Sequence, residues 1–346
     1  MKIVEIEKPG GPEVLRIVER PRPRPKAGEV VIRVVAAGVN RPDVQQRRGL
    51  YLSPPGASAV PGLDVSGVVE EVGAGVTTLT PGTPVCALVN GGGYSEFCLA
   101  PAVQCMPVPA GLTYIEGASL PEVFFTAWNN LIRLARLAEG ETLLIHGGTS
   151  GVGMAGIQIA RHLRRATVFA TAGSVEKRNI CLQAGAIAAV DYRGAWDAEI
   201  RVLNDGRGVD VILDAQAGPD TQRQLDLLSE DGRLILIASH QGELAEVNLR
   251  TLVRRRLTVA GSTLRPRTPE YKGQIARELV EEVWPLIADG RIRTRIHDAL
   301  PFGKVRDAHA ILDENRQIGK VVLVVDPSLA ETVPQPCHSF RQEKTA

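Results

Sequence analysis

From Val30 to about Val108 short apolar segments are punctuated by Gly and Pro: EVVIRVVAAGV, SGVVEEVG, TPVCALV and YSEFCLA. This spacing predicts a compact β-rich domain. Beyond Glu141 the texture changes to continuous apolar runs alternating with helical stretches, in the order TLLIHG, MAGIQIARHL, ATVFATAG, VEKRNICLQAG and AAVDY. VDVILDAQAG, TQRQLDLLSE, RLILIASH and LTVAGSTL continue the series. Strands without polar alternation belong to a parallel sheet covered on both faces, so residues 123–264 are predicted to form a doubly wound α/β domain. After Arg265 the pattern becomes helical (KGQIARELVEEVWPLIADG), then amphipathic (VRDAHAILDEN), and closes on the apolar strand KVVLVV. These pieces do not extend the alternation, and are assigned back to the first domain, 1–122 together with 265–326. Pro327 to Ala346 is polar and aperiodic and is expected to be a disordered tail. The run PRPRP at 21–25 reads as a stiff connector rather than a polyproline ligand. Arg254, Arg255 and Arg256 read as a solvated face before a strand.

A chain of 346 residues exceeds one comfortable core, which agrees with two domains. With 40 basic and 39 acidic side chains there is no broad positive field for a polyanion, and nucleic acid is not an expected partner. No apolar run is long enough to span a bilayer, and the start MKIVEIEKPGG turns charged and Pro/Gly-rich too early for a signal peptide. The cytoplasm is the expected location. The five cysteines, Cys86, Cys98, Cys105, Cys181 and Cys337, are odd in number with no Cys-x-x-Cys, which suggests reduced thiols. No histidine pairs with another His or Cys at a zinc-holding spacing, so no metal site is expected.

The chemistry is carried by the turn after the strand TLLIH. There Gly147-Gly148-Thr149-Ser150-Gly151-Val152-Gly153-Met154-Ala155-Gly156 runs straight into a helix. Gly151, Gly153 and Gly156 fit G-x-G-x-x-G in the strand-turn-helix context that a dinucleotide site requires. Gly151 is expected to permit the tight turn, Gly153 to admit a pyrophosphate to the backbone, and Gly156 to let the helix close on the strand. Free amides and the positive dipole end then hold the anion, for roughly 0.3 to 2 kcal/mol.

The end of the second strand bears on which dinucleotide is held. NAD enzymes usually place an acid about 20 residues on to bind the ribose 2′-hydroxyl, whereas here the chain reads Thr171-Ala172-Gly173-Ser174-Val175-Glu176-Lys177-Arg178. The strand ends without a carboxylate. Gly173 and Ser174 leave room for a 2′-phosphate, Lys177 can offer a charge-assisted hydrogen bond, and Tyr192 can add a hydroxyl. NADPH is therefore preferred; NADH remains the alternative if Glu176 reaches the ribose. Two other classes with similar turns fail by absence. No tyrosine has Lys four residues later, as short-chain reductases need, and no Gly-x-Ser-x-Gly elbow follows the lipase-like His146-Gly147-Gly148.

With a β-rich domain, a central dinucleotide domain and a return to the first, the layout over residues 1 to about 326 resembles the medium-chain dehydrogenase/reductase superfamily. Gly140-Glu141, Leu144, Gly151-Val152-Gly153, Gln158 and Arg161 are similar to the signature of its zeta-crystallin-like quinone oxidoreductase branch. Many members carry Ala-Ala-Gly where this chain has Gly148-Thr149-Ser150, which leaves open whether Ser150 touches phosphate. The resemblance implies a GroES-like catalytic domain beside a Rossmann domain. Zinc alcohol dehydrogenases of the superfamily carry Gly-x-Cys, Gly-His-Glu and a four-cysteine lobe. Here Asn40 stands in GVNRPD and Leu63-Asp64 in PGLDVSG, without the lobe.

The resemblance further implies that Asn40, Asp43 and Tyr51 line the acceptor pocket, with Tyr51 a donor to the developing oxyanion. Read from the residues alone, Asn40 and Asp43 are equally turn formers around Pro42, and Tyr51 a surface aromatic. Thr126, Ser239 and Leu264 match cofactor-contacting positions of relatives, and Asn315 to Lys320 is expected to reach the cofactor as well. The implied activity is hydride transfer from NADPH to a quinone or other conjugated carbonyl, without metal or flavin. Reduction of an enone or enoyl thioester is the alternative, and an NADPH-bound structural or RNA-binding role is the alternative of another class. The last strand of the sheet, Leu257 to Leu264, is expected at an edge, where pairing across a two-fold axis would make a homodimer.

Overall fold

The computed structural model describes residues 1–335. The chain opens with the antiparallel ribbon β1 (Lys2–Ile6) and β2 (Leu15–Glu19). There follow β3 (Glu29–Val39), α1 (Arg41–Arg47), β4 (Asp64–Val72), β5 (Pro84–Leu88), β6 (Phe97–Pro101), β7 (Cys105–Pro107), α2 (Tyr114–Gly117) and α3 (Pro121–Trp128). The middle of the chain alternates: β8 (Thr142–Ile145), α4 (Gly151–Arg164), β9 (Thr167–Thr171), α5 (Val175–Gln183), β10 (Ala188–Val190), α6 (Trp196–Leu203) and β11 (Val209–Asp214). Then come α7 (Thr221–Leu227), β12 (Leu228–Leu236), α8 (Leu249–Arg255) and β13 (Thr258–Gly261). The last part holds α9 (Pro269–Glu282), α10 (Trp284–Ala288), β14 (Ile296–Pro301), α11 (Val305–Asp313) and β15 (Lys320–Val324). Two compact units result, Thr126–Leu264 and the remainder, Met1–Phe125 with the chain from Arg265 onward.

In the first unit a seven-stranded sheet runs β14-β15-β3-β4-β5-β7, with β6 paired to β3. β15 is antiparallel to β3, Val321 opposite Val39 and Leu323 opposite Ala37. The apolar run after Lys320 can be buried only between two neighbours, and β3 and β14 supply them. Val30, Ile32, Val34, Val65, Val85, Val321 and Leu323 form its core. Residues 327–335, expected as part of the tail, are placed against this unit. Ala330 is buried beside Val35 and Tyr114, and its carbonyl accepts the Ile115 N–H at 3.2 Å. The rest of the expected tail, with Cys337, lies outside the described residues.

The second unit is a six-stranded sheet in the order β10-β9-β8-β11-β12-β13, every neighbouring pair parallel. Leu143 and Ile145 of β8 face Ile157 and Ala160 of α4, while Leu144 between them joins Trp196 and Ile200 of α6 on the opposite face. Both faces are apolar because both are covered, which is the Rossmann arrangement. The strand order reverses at β8 and β11, the switch point where such sheets bind their ligands. β13 lies at the edge of the sheet. Cys86, Cys98, Cys105 and Cys181 are buried free thiols. Among the described residues no helix is long and apolar enough to cross a membrane.

Candidate functional site

In the second unit Ser150 caps α4, its Oγ accepting the Gly153 N–H at 3.0 Å. That leaves the hydroxyl proton of Ser150 free to donate, alongside the remaining unpaired amides of the first turn. The left-handed residue of the turn is Gly147, at φ +71°, whereas Gly151 is already helical. Gly153 is the closest-packed member. A methyl there would stand 2.5 Å from the Gly147 carbonyl oxygen and 2.8 Å from the Gly148 Cα. One on Gly156 would meet Ile145 at 2.9 Å, as expected of the glycine that seats the helix on its strand. The Gly147 N–H reaches the Thr171 hydroxyl at 3.3 Å, and His146 Nδ1 lies 3.1 Å from the same oxygen. The end of β9 is thereby tied to the turn. Burial holds the His146 imidazole below its ordinary pKa, so the ring stays neutral.

Gly173, Ser174, Lys177 and Tyr192 come together at the ends of β9 and β10. Ser174 caps α5, its Oγ accepting the Lys177 N–H at 3.2 Å. The Tyr192 ring packs so closely on Gly173 that a methyl would lie 2.8 Å from its Oη. Arg193 was not anticipated. It donates to the Gly173 carbonyl and to Asp191 Oδ2 at 2.7 Å, with its guanidinium 5.8 Å from the centre of the Tyr192 ring. Arg178 reaches the same carboxylate at 3.1 Å. Hydrogen bonds from Arg193, with the charges of Arg193 and Arg178, hold the Asp191 carboxyl well below the usual range. Two guanidiniums, Arg193 and Arg178, thus share the Asp191 carboxylate. Thr126 and Leu264 are half-buried and Ser239 is exposed in a loop after β12.

In the first unit Asn40 is the N-cap of α1, and Asp43 at its third position takes the Asn40 backbone N–H at 2.8 Å. Asp43 is fully buried and also accepts the Gly62 N–H at 3.0 Å and the Tyr94 hydroxyl at 3.1 Å. Both its oxygens are thereby committed within the unit. Burial pushes its pKa up to about 6, against the pull of the Asn40 and Gly62 N–H groups. Beyond Tyr94, whose ring meets His309 edge-on, Arg47 contacts His309 Nδ1 at 3.3 Å and Asp313 at 2.7 Å.

The Asn40 side chain is held by two residues that the sequence did not put beside it. Its Nδ2 donates to Asp64 Oδ2 at 2.9 Å, and its Oδ1 accepts from Lys320 Nζ. Lys320, the last residue of the segment expected to reach the cofactor, ion-pairs with Asp64 at 2.7 Å, both side chains buried. The remaining Asp64 oxygen accepts the Glu122 N–H. Tyr51 is half-buried with its ring against Arg265. Asn315, exposed and left-handed at φ +53°, accepts from Arg41.

Two family models match the chain: "Alcohol dehydrogenase GroES-like domain" over residues 26–110 and "Zinc-binding dehydrogenase" over 184–323. The quinone oxidoreductase of Rattus norvegicus is 33% identical over 332 residues, covering 94% of this chain and 98% of the rat protein. The chain belongs to the zeta-crystallin-like quinone oxidoreductase branch of the medium-chain dehydrogenase/reductase superfamily. A mycobacterial member solved with NADPH is 31% identical at a TM-score of 0.84, covering 94% of this chain and 100% of that one. The JamJ enoyl reductase is 26% identical at a TM-score of 0.82, covering 93% and 98%. Among the described residues no group of three or more His, Cys, Asp and Glu side chains is placed to hold a metal ion. The chain is thus an oxidoreductase of this family with a nicotinamide-dinucleotide fold.

Proposed function

We propose that this protein transfers hydride from NADPH to quinones. The observation that carries the reading is the cluster at the ends of β9 and β10. Gly173 offers no side chain, Tyr192 lies against it, Arg178 and Arg193 share the Asp191 carboxylate, and Lys177 stands in the first turn of α5, whose N-cap is Ser174. A 2′-phosphate suits such a rim, whereas a bare ribose hydroxyl asks for an unpaired acid at the end of β9. The turn fits the pyrophosphate as well, since Gly153 has room for backbone approach but none for a methyl. When bound, NADPH supplies the hydride.

The chain's own residues would then act as follows. The first amides of α4 and the Ser150 hydroxyl hold the pyrophosphate, and Lys177 and Tyr192 the 2′-phosphate. In the first unit, Asp64 and Lys320 fix the orientation of the Asn40 amide and leave its second N–H uncommitted. That N–H and the Tyr51 hydroxyl serve as donors to a quinone oxygen as it gains charge. A conjugated acceptor spreads this charge, so donors of this strength suffice. Asp43 acts indirectly, by fixing Asn40 and Gly62. The reading also gives Thr126, Ser239 and Leu264 to the cofactor, as the family resemblance implies, together with Asn315 from the segment before β15. The protein is placed in the cytoplasm as a homodimer joined at β13.

Steady-state oxidation of NADPH with 1,2-naphthoquinone and 1,4-benzoquinone, run beside enones and enoyl thioesters, tests the reading. Quinone turnover is expected. A strong preference for enones with no quinone turnover would refute it in favour of the second reading, enoyl reduction, which the similarity to the JamJ enzyme supports.

A further inference from the structure

Arg265, where the chain returns to the first unit, is only 5% exposed. Its Nε donates to the Asn90 carbonyl at 3.1 Å. Its Nη2 reaches that carbonyl at 2.9 Å, Gln46 Oε1 at 2.8 Å and Ser53 Oγ at 3.0 Å. Nη1 is buried with no acceptor among the described residues for either of its hydrogens. Behind it the fully buried Lys272 of α9 donates to Asn90 Oδ1 at 2.6 Å and to the Arg265 carbonyl at 3.3 Å. Every one of these acceptors is neutral.

Two cations are therefore buried close together with no carboxylate among their acceptors in the described residues. The negative charge of Asp43 bears on Arg265, but its oxygens are spent on Asn40, Gly62 and Tyr94. Burial and the charge of Arg265 push the Lys272 ammonium down to about 8. Burying like charges with an unsatisfied donor is unfavourable, and such a site is completed when an anion binds in it. The Tyr51 ring stands against the guanidinium, 5.1 Å from its centre, on a segment where Leu50 and Leu52 are 73% and 80% exposed. A planar apolar ligand would find contact there.

We propose that Arg265 and Lys272 form a recognition site for an anionic oxygen, a carboxylate or sulfonate on a planar aromatic acceptor, with Nη1 of Arg265 as donor and the Tyr51 ring moving aside to admit it. The inference deepens the quinone reading, and rests on the first unit receiving the acceptor. It makes anionic aromatic carbonyl compounds the favoured substrate class. A neutral quinone can take the hydrogen bond, but only an anion also offsets the two charges.

Isothermal titration of the full-length protein, saturated with NADP+ so that the turn of the second unit is filled, compares 2-naphthoate with its neutral isostere 2-naphthamide. Wild type is expected to bind the carboxylate at least tenfold more tightly. Arg265→Met should bring the ratio close to one, and Lys272→Met should lower it at least threefold, which keeps the test open if the first variant does not fold. Equal affinities in wild type, no binding of either compound, or a preference that survives both substitutions overturns the proposal. Turnover of 1,2-naphthoquinone is measured in parallel. Quinone turnover without a naphthoate preference removes the anion site alone. A naphthoate preference without quinone turnover upholds the site and removes the quinone reading.

Discussion

Lys320→Met removes the cation from the buried trio of Lys320, Asp64 and Asn40 and keeps most of the apolar stem. Lys320 Nζ lies 2.7 Å from Asp64 Oδ2, with 5% and 0% of the two side chains exposed, so solvent cannot replace the lost charge. Asp64 keeps the Asn40 Nδ2 and Glu122 N–H donors, but its charge is left buried. Removing one partner of a buried pair typically costs about 3–5 kcal/mol. Asp64→Asn in the same chain removes the charge that was left behind. The double variant should therefore recover roughly 1–3 kcal/mol of that loss, the coupling typical of contacting residues. Because the chain folds as two units, a single unfolding midpoint is a poor readout. Native-state hydrogen exchange at the paired amides of β3 and β15 reports the first unit directly. Exchange there should accelerate by roughly two to four orders of magnitude in Lys320→Met and partly recover in the double variant. Acceleration of less than tenfold, or strictly additive effects, would contradict the charge argument. Activity should fall as well, since the Asn40 amide oxygen loses the donor that helps orient it.

Gly153→Ala would place a methyl 2.5 Å from the Gly147 carbonyl oxygen, so NADPH affinity should fall at least a hundredfold in a fluorescence titration. Asp43, with its pKa raised to about 6, contributes stability that is fully present below its unfolded value near 3.9 and is lost as pH rises through 6. The difference in unfolding free energy between wild type and Asp43→Asn should shrink by as much as about 3 kcal/mol from pH 4 to pH 7, and a flat difference would count against it. Light scattering should give twice the chain mass of 37.2 kDa; a monomer removes the role given to β13.

The sheet of the second unit was legible because a strand buried on both faces has no polar alternation, and runs such as TLLI and VDVILD show that directly. The return of the C-terminal segment was legible because the βα alternation stops at Arg265. Asn40, read either as a pocket residue or as a turn former around Pro42, is the N-cap of α1, and its side-chain partners had no signal in the sequence. Lys320 heads the apolar strand KVVLV, and nothing local links it to Asp64. Only the pairing of β15 with β3 brings it to Asp64, 256 positions away. Tyr94 is likewise 51 positions from Asp43, with no local pattern linking them. Arg265 was legible only as the point where the alternation stops, and its burial depends on acceptors from Asn90, Gln46 and Ser53. Arg193 had a signal, since it directly follows Tyr192. Gly147, the left-handed residue, lies just ahead of the glycines that the motif selects. Motif spacing conveys which amides face an anion, and says less about which residue makes the turn.

NADPH selectivity in this protein rests on the ends of β9 and β10 receiving the 2′-phosphate. The most direct test is kcat/KM for NADPH over NADH with a common quinone acceptor, measured for wild type and Lys177→Glu. Wild type should favour NADPH at least tenfold, and the substitution should raise KM for NADPH far more than for NADH. Equal wild-type values for the two cofactors, or equal effects of the substitution on both, would contradict the account.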